Sequence, residues 1–154
     1  MAYEAQRVQP QSVLAHQRYH RILLLDDNVE RLCNHAQNYL QLLMQRQQYK
    51  EAAELVLVCR ERNPNFKLDK VEFLVELGRY ALRSHDAALC VRLINGFDKR
   101  YPGEKQTLPT IYELAVRALL QAGGPREKAQ QIGAQLQRHY PEHPSTQEVM
   151  WLLR

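Results

Sequence analysis

Apolar side chains in this chain return at steps of three and four. Val29, Leu32, Cys33, Ala36, Leu40 and Leu43 do so in one stretch, and Val71, Leu74, Val75, Leu77, Gly78, Ala81 and Leu82 in another. That spacing lays one apolar stripe along a helix. The alternation of a half-buried strand never runs beyond about four residues. The pattern therefore predicts an all-α chain of about eight helices.

Punctuation between the stripes sets the boundaries. Residues 1–11 are polar, end next to Pro10 and are expected to be flexible. Ser12 is placed to cap a helix running to Leu25, and Asp26-Asp27-Asn28 breaks it. Asp27-x-x-Glu30 has the spacing of a capping box and opens the next helix. After a turn at 45–48, a helix from Tyr49 to Arg62 is stopped by Asn63-Pro64, because the residue before proline is pushed out of helical geometry. Asp69 is the expected cap of the helix that carries Val71 to Leu82. Ser84-His85-Asp86 then turns the chain into Ala87–Arg100, where Asn95-Gly96 marks a kink or a close helix contact. Thr110-x-x-Glu113 opens a helix to Ala122. Gly123-Gly124-Pro125 ends it and makes Pro125 the first residue of its partner, which runs to His139. Ser145-x-x-Glu148 caps a final helix over residues 146–153, whose Met150 and Trp151 are expected in the packing of the chain's end.

Three proline steps follow a second helix each time: Asn63-Pro64, Tyr101-Pro102 and Tyr140-Pro141, spaced 38 and 39 residues apart. A fixed period in this range is the mark of stacked hairpins, which bury a core only against their neighbours. Within the period, Ala36, Tyr39, Leu40, Tyr49, Ala52 and Pro64 fall in the order of a tetratricopeptide repeat, which the segment resembles. Leu74, Leu77, Gly78 and Pro102 match the second unit, with Cys90 in place of the packing alanine and Ala87 in place of an aromatic; Ala129 and Pro141 match the third, where Arg117 replaces the glycine.

The resemblance covers residues 29–141. It implies a right-handed stack of antiparallel helical hairpins, an α-α superhelix. Its units would be a capping helix over 12–27, repeats over 28–64, 69–102 and 110–141, and a C-terminal capping helix over 145–154, all in one domain from residue 12. It implies a non-catalytic protein-interaction module whose first helices line a concave groove. Carried onto this chain, the groove is expected to expose Gln37, Gln41 and Met44, then Arg79, Leu82 and Arg83, then Ile111 and Leu114. Members that clamp a peptide carboxylate do so with lysine and asparagine. Gln37, Gln41, Glu76 and Ala115 stand at those positions, so that clamp is not expected. The arginines point to an acidic or amphipathic segment of another protein.

Net charge is +4 and the pI about 9.0, yet basic and acidic residues are interspersed along the whole length. No block concentrates the field that tracking phosphates needs, so nucleic acid is the alternative partner rather than the expected one. A structural domain of a larger membrane-anchored or multi-protein assembly, held by self-association, is the other alternative. The apolar runs are far too short to span a bilayer, and no secretory leader pattern opens the sequence. Three cysteines without a C-x-x-C fit a reducing, cytoplasmic setting.

Nothing assembles a catalytic centre. There is no phosphate-cradling glycine loop, nucleophile elbow or H-E-x-x-H. His16 and His20 stand one helical turn apart, the spacing of two metal ligands, but no acidic or cysteine third ligand is near in sequence. They are expected on a solvated helix face, with no cofactor and no metal.

Overall fold

The protein's structure, a computed structural model, describes residues 12–25 and 28–154. The segment expected to be flexible, 1–11, and the Asp26-Asp27 step lie outside the described residues. Every regular element among the described residues is helical: α1 (Val13–Leu25), α2 (Val29–Gln45), α3 (Tyr49–Arg62), α4 (Val71–Arg83), α5 (Ala87–Ile94), the single turn α6 (Phe97–Arg100), α7 (Leu108–Gln121), α8 (Arg126–His139) and α9 (Pro144–Leu152).

The chain forms two compact units that part between Asp69 and Lys70. In the first, α1 lies against α2, and α2 pairs with α3. In the second, α4 pairs with α5, and α7 pairs with α8 while also packing on α4 and α5; α9 closes on α7 and α8. That closure is an apolar cluster of Val116, Ala129, Leu136 and Val149. Gly133 is what lets α9 lie so near α8: a Cβ there would stand 2.8 Å from tip atoms of both Met150 and Leu153.

The 38-residue rhythm is built into the backbone. At the end of α2, Gln48 N–H donates to Leu43 O (2.9 Å) and Gln47 N–H to Met44 O (3.1 Å), with Gln47 at φ +57°. At the end of α4, Asp86 N–H donates to Ala81 O (2.8 Å) and His85 N–H to Leu82 O (3.1 Å), with His85 at φ +56°. At the end of α7, Gly124 N–H donates to Leu119 O (2.8 Å) and Gly123 N–H to Leu120 O (3.2 Å), with Gly123 at φ +70°. These are three Schellman ends, which satisfy the carbonyls a helix leaves open. The proline corners repeat as well. Asn63, Tyr101 and Tyr140 each leave the helix with an extended φ, and each carbonyl accepts from the residue three further on, Phe66, Glu104 and His143. Proline occupies the second position of each turn, where its fixed φ belongs.

Of the three left-handed positions only one is glycine. A side chain there costs roughly 1–2 kcal/mol against sterically free backbone. An added Cβ at Gly123 meets nothing within 4 Å, so Gly123→Ala is a test of backbone strain alone. We expect it to cost about 1 kcal/mol, and exposed His85→Gly to gain a similar amount. Urea midpoints followed by far-UV circular dichroism check both signs.

Helix starts depart from expectation more than helix ends. Ser12 Oγ does accept from Ala15 N–H (3.2 Å). The α2 cap is Asn28, whose side chain accepts from Arg31 N–H (3.0 Å), one residue beyond the expected capping box. Lys70, not Asp69, precedes α4, and Asp69 N–H donates to the Gln37 side chain (3.1 Å). Thr107 and His143 precede α7 and α9, so Thr110 and Ser145 fall inside the helices, facing one another at 3.3 Å between hydroxyls. Pro125 is a cap with extended backbone rather than the first helical residue. The break at Asn95-Gly96 is real: Gly96 takes φ +76° and separates α5 from α6.

Candidate interaction surfaces

In the second unit, α4 and the start of α7 enclose an open cleft of about 590 Å³. Helical spacing puts Glu72, Glu76, Arg79 and Arg83 on one side of α4, over Val71 and Val75. Thr107 and Thr110 form the opposite wall. Acid lies toward the N-terminus of α4 and base toward its C-terminus, the order that complements the helix dipole. Both guanidiniums are exposed to solvent. Of the expected groove residues, Arg79 and Arg83 therefore share one concavity.

Ile111 and Leu114 were expected to continue that groove, and they do not: they are 4% and 1% exposed. The reason is α7's position. It packs on α4 and α5 together, so its Ile111–Leu114–Ala118 stripe is used as core, and Thr107 and Thr110 face the cleft instead. Leu82 is half-buried, and its carbonyl accepts from Gln121 Nε2 (2.9 Å), tying the end of α7 to α4. Arg117, where the resemblance placed a glycine, instead bridges Glu113 on its own helix (2.8 Å) and Glu148 on α9 (3.2 Å). A second, more apolar hollow of about 420 Å³ lies where the Gly96 break lifts α6 from α7, floored by Ile94, Phe97, Leu108 and Tyr112.

In the first unit the expected groove residues separate. Gln41 is exposed. Gln37 is a structural clasp: its Nε2 donates to Lys67 O (2.8 Å) and its Oε1 accepts from Asp69 N–H, fastening the 67–69 loop to α2. Met44, expected to be open, is buried at 6% exposure, because nearly the whole last turn of α2 is covered. Trp151, expected in the packing at the chain's end, is instead 64% exposed.

The largest difference concerns the histidines. His16 is buried rather than solvated, and its Nδ1 lies 3.1 Å from Nε2 of His35, also buried. His20 completes a ring cluster with Tyr19 and Tyr39. Burial and the neighbouring His16 and His20 push His35 down to about 3, and burial lowers His20 too. The signal for His35 was present in the sequence: it stands three residues after Leu32 and four before Tyr39, on the inward face of α2. Among the described residues no set of three His, Cys, Asp or Glu side chains is arranged to hold a metal ion.

The cysteines offer no reactive thiolate at neutral pH where they are fully buried. Burial raises the Cys59 thiol to about 12 and the Cys90 thiol to about 11. Cys33 is half-buried and faces the Asn63 amide, whose Nδ2 lies 3.9 Å from the sulfur. No described helix is long and apolar enough to cross a membrane.

Comparison with known proteins adds no identity: no family model, curated protein or solved structure matches this chain.

Proposed function

We propose that the chain is a non-catalytic interaction module of tetratricopeptide-like hairpins, a scaffold or assembly factor whose second unit receives an acidic or amphipathic segment of another protein. The observation that carries it is the α4–α7 cleft, which pairs two exposed guanidiniums with an apolar floor. A partner carboxylate at each of Arg79 and Arg83 makes charge-assisted, fork-shaped hydrogen bonds. Apolar atoms of the same segment lie on Val71 and Val75, and Glu72 and Glu76 select a basic residue at the segment's other end. Charges so ordered fix the direction of the bound segment and reject the reversed one. Recognition of this kind belongs to the helix-in-groove mode. The interspersed signs and the cleft's balanced charge favour a protein partner in the cytoplasm over nucleic acid.

The test uses amphipathic helical peptides with Leu on one face and Glu on the other, against the same peptides with Lys for Glu. We expect the Glu peptide to bind the full chain and Arg79→Glu/Arg83→Glu to weaken it at least about 10-fold, with circular dichroism unchanged. Equal affinity of the variant, or preference for the Lys peptide, overturns the proposal. Binding of random oligonucleotides with a steep salt dependence would move the assignment to nucleic acid.

A further inference from the structure

α1 and α2 meet through imidazole. His16 and His20, one turn apart on α1, face His35 on α2. Ring centroids lie 5.2 Å apart for His16 and His35, and 6.3 Å for His20 and His35. Two tyrosines frame the group: Tyr19 presents an edge to His35 at 4.7 Å, and Tyr39 reaches all three imidazoles at 5.7–5.8 Å. Nδ1 of His20 and Nδ1 of His35 are buried without a hydrogen-bond partner.

The contact between His16 and His35 holds only while one of its two nitrogens stays free to accept. The His16–His35 contact at 3.1 Å needs one ring nitrogen as donor and the other as acceptor, and protonating the acceptor leaves two N–H groups pointing at each other. What acts on His20 and His35 is burial and, for His35, the other two imidazoles, and no acidic group offsets either effect. Ionisable groups near the cluster include Tyr19 and Arg21 on α1, Tyr39 on α2 and Glu51 on α3, and Arg62 of α3 donates to Leu24 O on α1 (2.8 Å). Arg21 and Glu51 act on Tyr39 and oppose each other there. α3 buries Ala52, Ala53, Leu55, Val56 and Cys59, and with them one cation, Arg60.

We propose that the α1–α2 contact is an acid-released clasp, in which proton uptake by His35, with His20 beside it, detaches α1 and uncovers the face of α2 around His35 and Tyr39. The sign follows from linkage. His35 is held down to about 3 while docked and returns to its ordinary value of 6.5 when released. Between these values the released state binds the additional proton, so docking is strongest above 6.5 and weakens as pH falls toward 3. At pH 5.0 that one imidazole favours release by about 30-fold over neutral pH. His20, lowered in the same direction, adds to it.

The experiment is backbone hydrogen exchange of the full chain by mass spectrometry at pH 7.5 and 5.0, each rate corrected for intrinsic pH dependence. Peptides covering residues 13–25 are expected to lose about 30-fold or more in protection at pH 5.0, while peptides of 108–121 keep theirs. His35→Phe keeps a ring in place but carries no proton site, and is expected to lose much less protection at pH 5.0 than the unaltered chain, the remainder being due to His20. Should that variant fold poorly, titration of the histidine Cε1–H resonances of the unaltered chain decides. A His35 signal that shifts near pH 6.5 while α1 stays protected overturns the clasp. Equal loss of protection in both segments overturns it as well, since that is global acid unfolding. Zinc ions that raise the protection of 13–25 at one equivalent, with acid sensitivity abolished by a chelator, overturn it in favour of a metal centre.

Discussion

Leu114→Ala is expected to cost the second unit about 3 kcal/mol, within the 2–5 kcal/mol usual for such truncations. Leu114 is 1% exposed and sits where three helices converge. Its Cδ1 lies 3.0 Å from the place a Cβ on Gly78 would occupy, and its carbonyl is 4.0 Å from the Cys90 sulfur. Gly78 therefore does not leave space unused; it is the socket into which Leu114 fits. Truncation removes the plug and leaves a void that glycine has no side chain to refill. Because α7 packs on α4, α5, α8 and α9, the loss falls on the centre of the unit rather than on a fraying end.

The socket also makes a coupled prediction. Gly78→Ala alone sets a methyl against a fully buried leucine tip, and the gain in helix propensity of about 1 kcal/mol is offset by the repacking it forces. In the Leu114→Ala background the same methyl enters vacated space. The double variant should be more stable than the sum of the singles by about 1 kcal/mol or more. Far-UV circular dichroism in urea is the suitable probe, since Trp151 is too exposed to report on this packing.

How much of this was legible in the sequence depends on what each residue responds to. The hairpin rhythm was readable because proline and glycine act locally: Pro64, Pro102 and Pro141 end helices wherever they fall, and all three stand at equivalent corners. Gly123 announced a Schellman end, whereas Gln47 and His85 take the same left-handed geometry with no such signal, held by the helices on either side. Helix starts were less legible because several residues compete to cap one end, and long-range contacts of the linker, which no local pattern reveals, lie beside them. Gln37 claims the Asp69 backbone from 32 residues away.

Sites were the hardest to read. Which face of α7 lines a cleft depends on its rotation against two other helices, and a shift of one position converts Ile111 and Leu114 from groove to core. The histidine cluster joins residues 19 apart through a helix packing that neither segment specifies alone. Arg79 and Arg83 were placed together by local spacing on one helix, the kind of information a sequence carries best.

A second large effect is expected at a position that the repeat makes comparable across both units. Ala52, Cys90 and Ala129 stand 38 and 39 residues apart on the second helix of each hairpin, and all three are 0% exposed. A residue this small at this place lets the second helix come close to the first, toward the lower end of the 8–10 Å range of helix separations. Interchange within the set should then be nearly free: Ala52→Cys and Cys90→Ala are each expected to change stability by about 1 kcal/mol or less. Ala52→Leu is different, because three additional carbon atoms have no void to enter between α2 and α3. Its cost is expected at about 3 kcal/mol, the upper end of overpacking penalties. The loss should appear in hydrogen exchange of α2 and α3 while α7 and α8, in the other unit, retain their protection. A leucine tolerated at 52 but a costly cysteine there would show that chemistry rather than size governs the position, and would remove the physical basis for aligning the three hairpins.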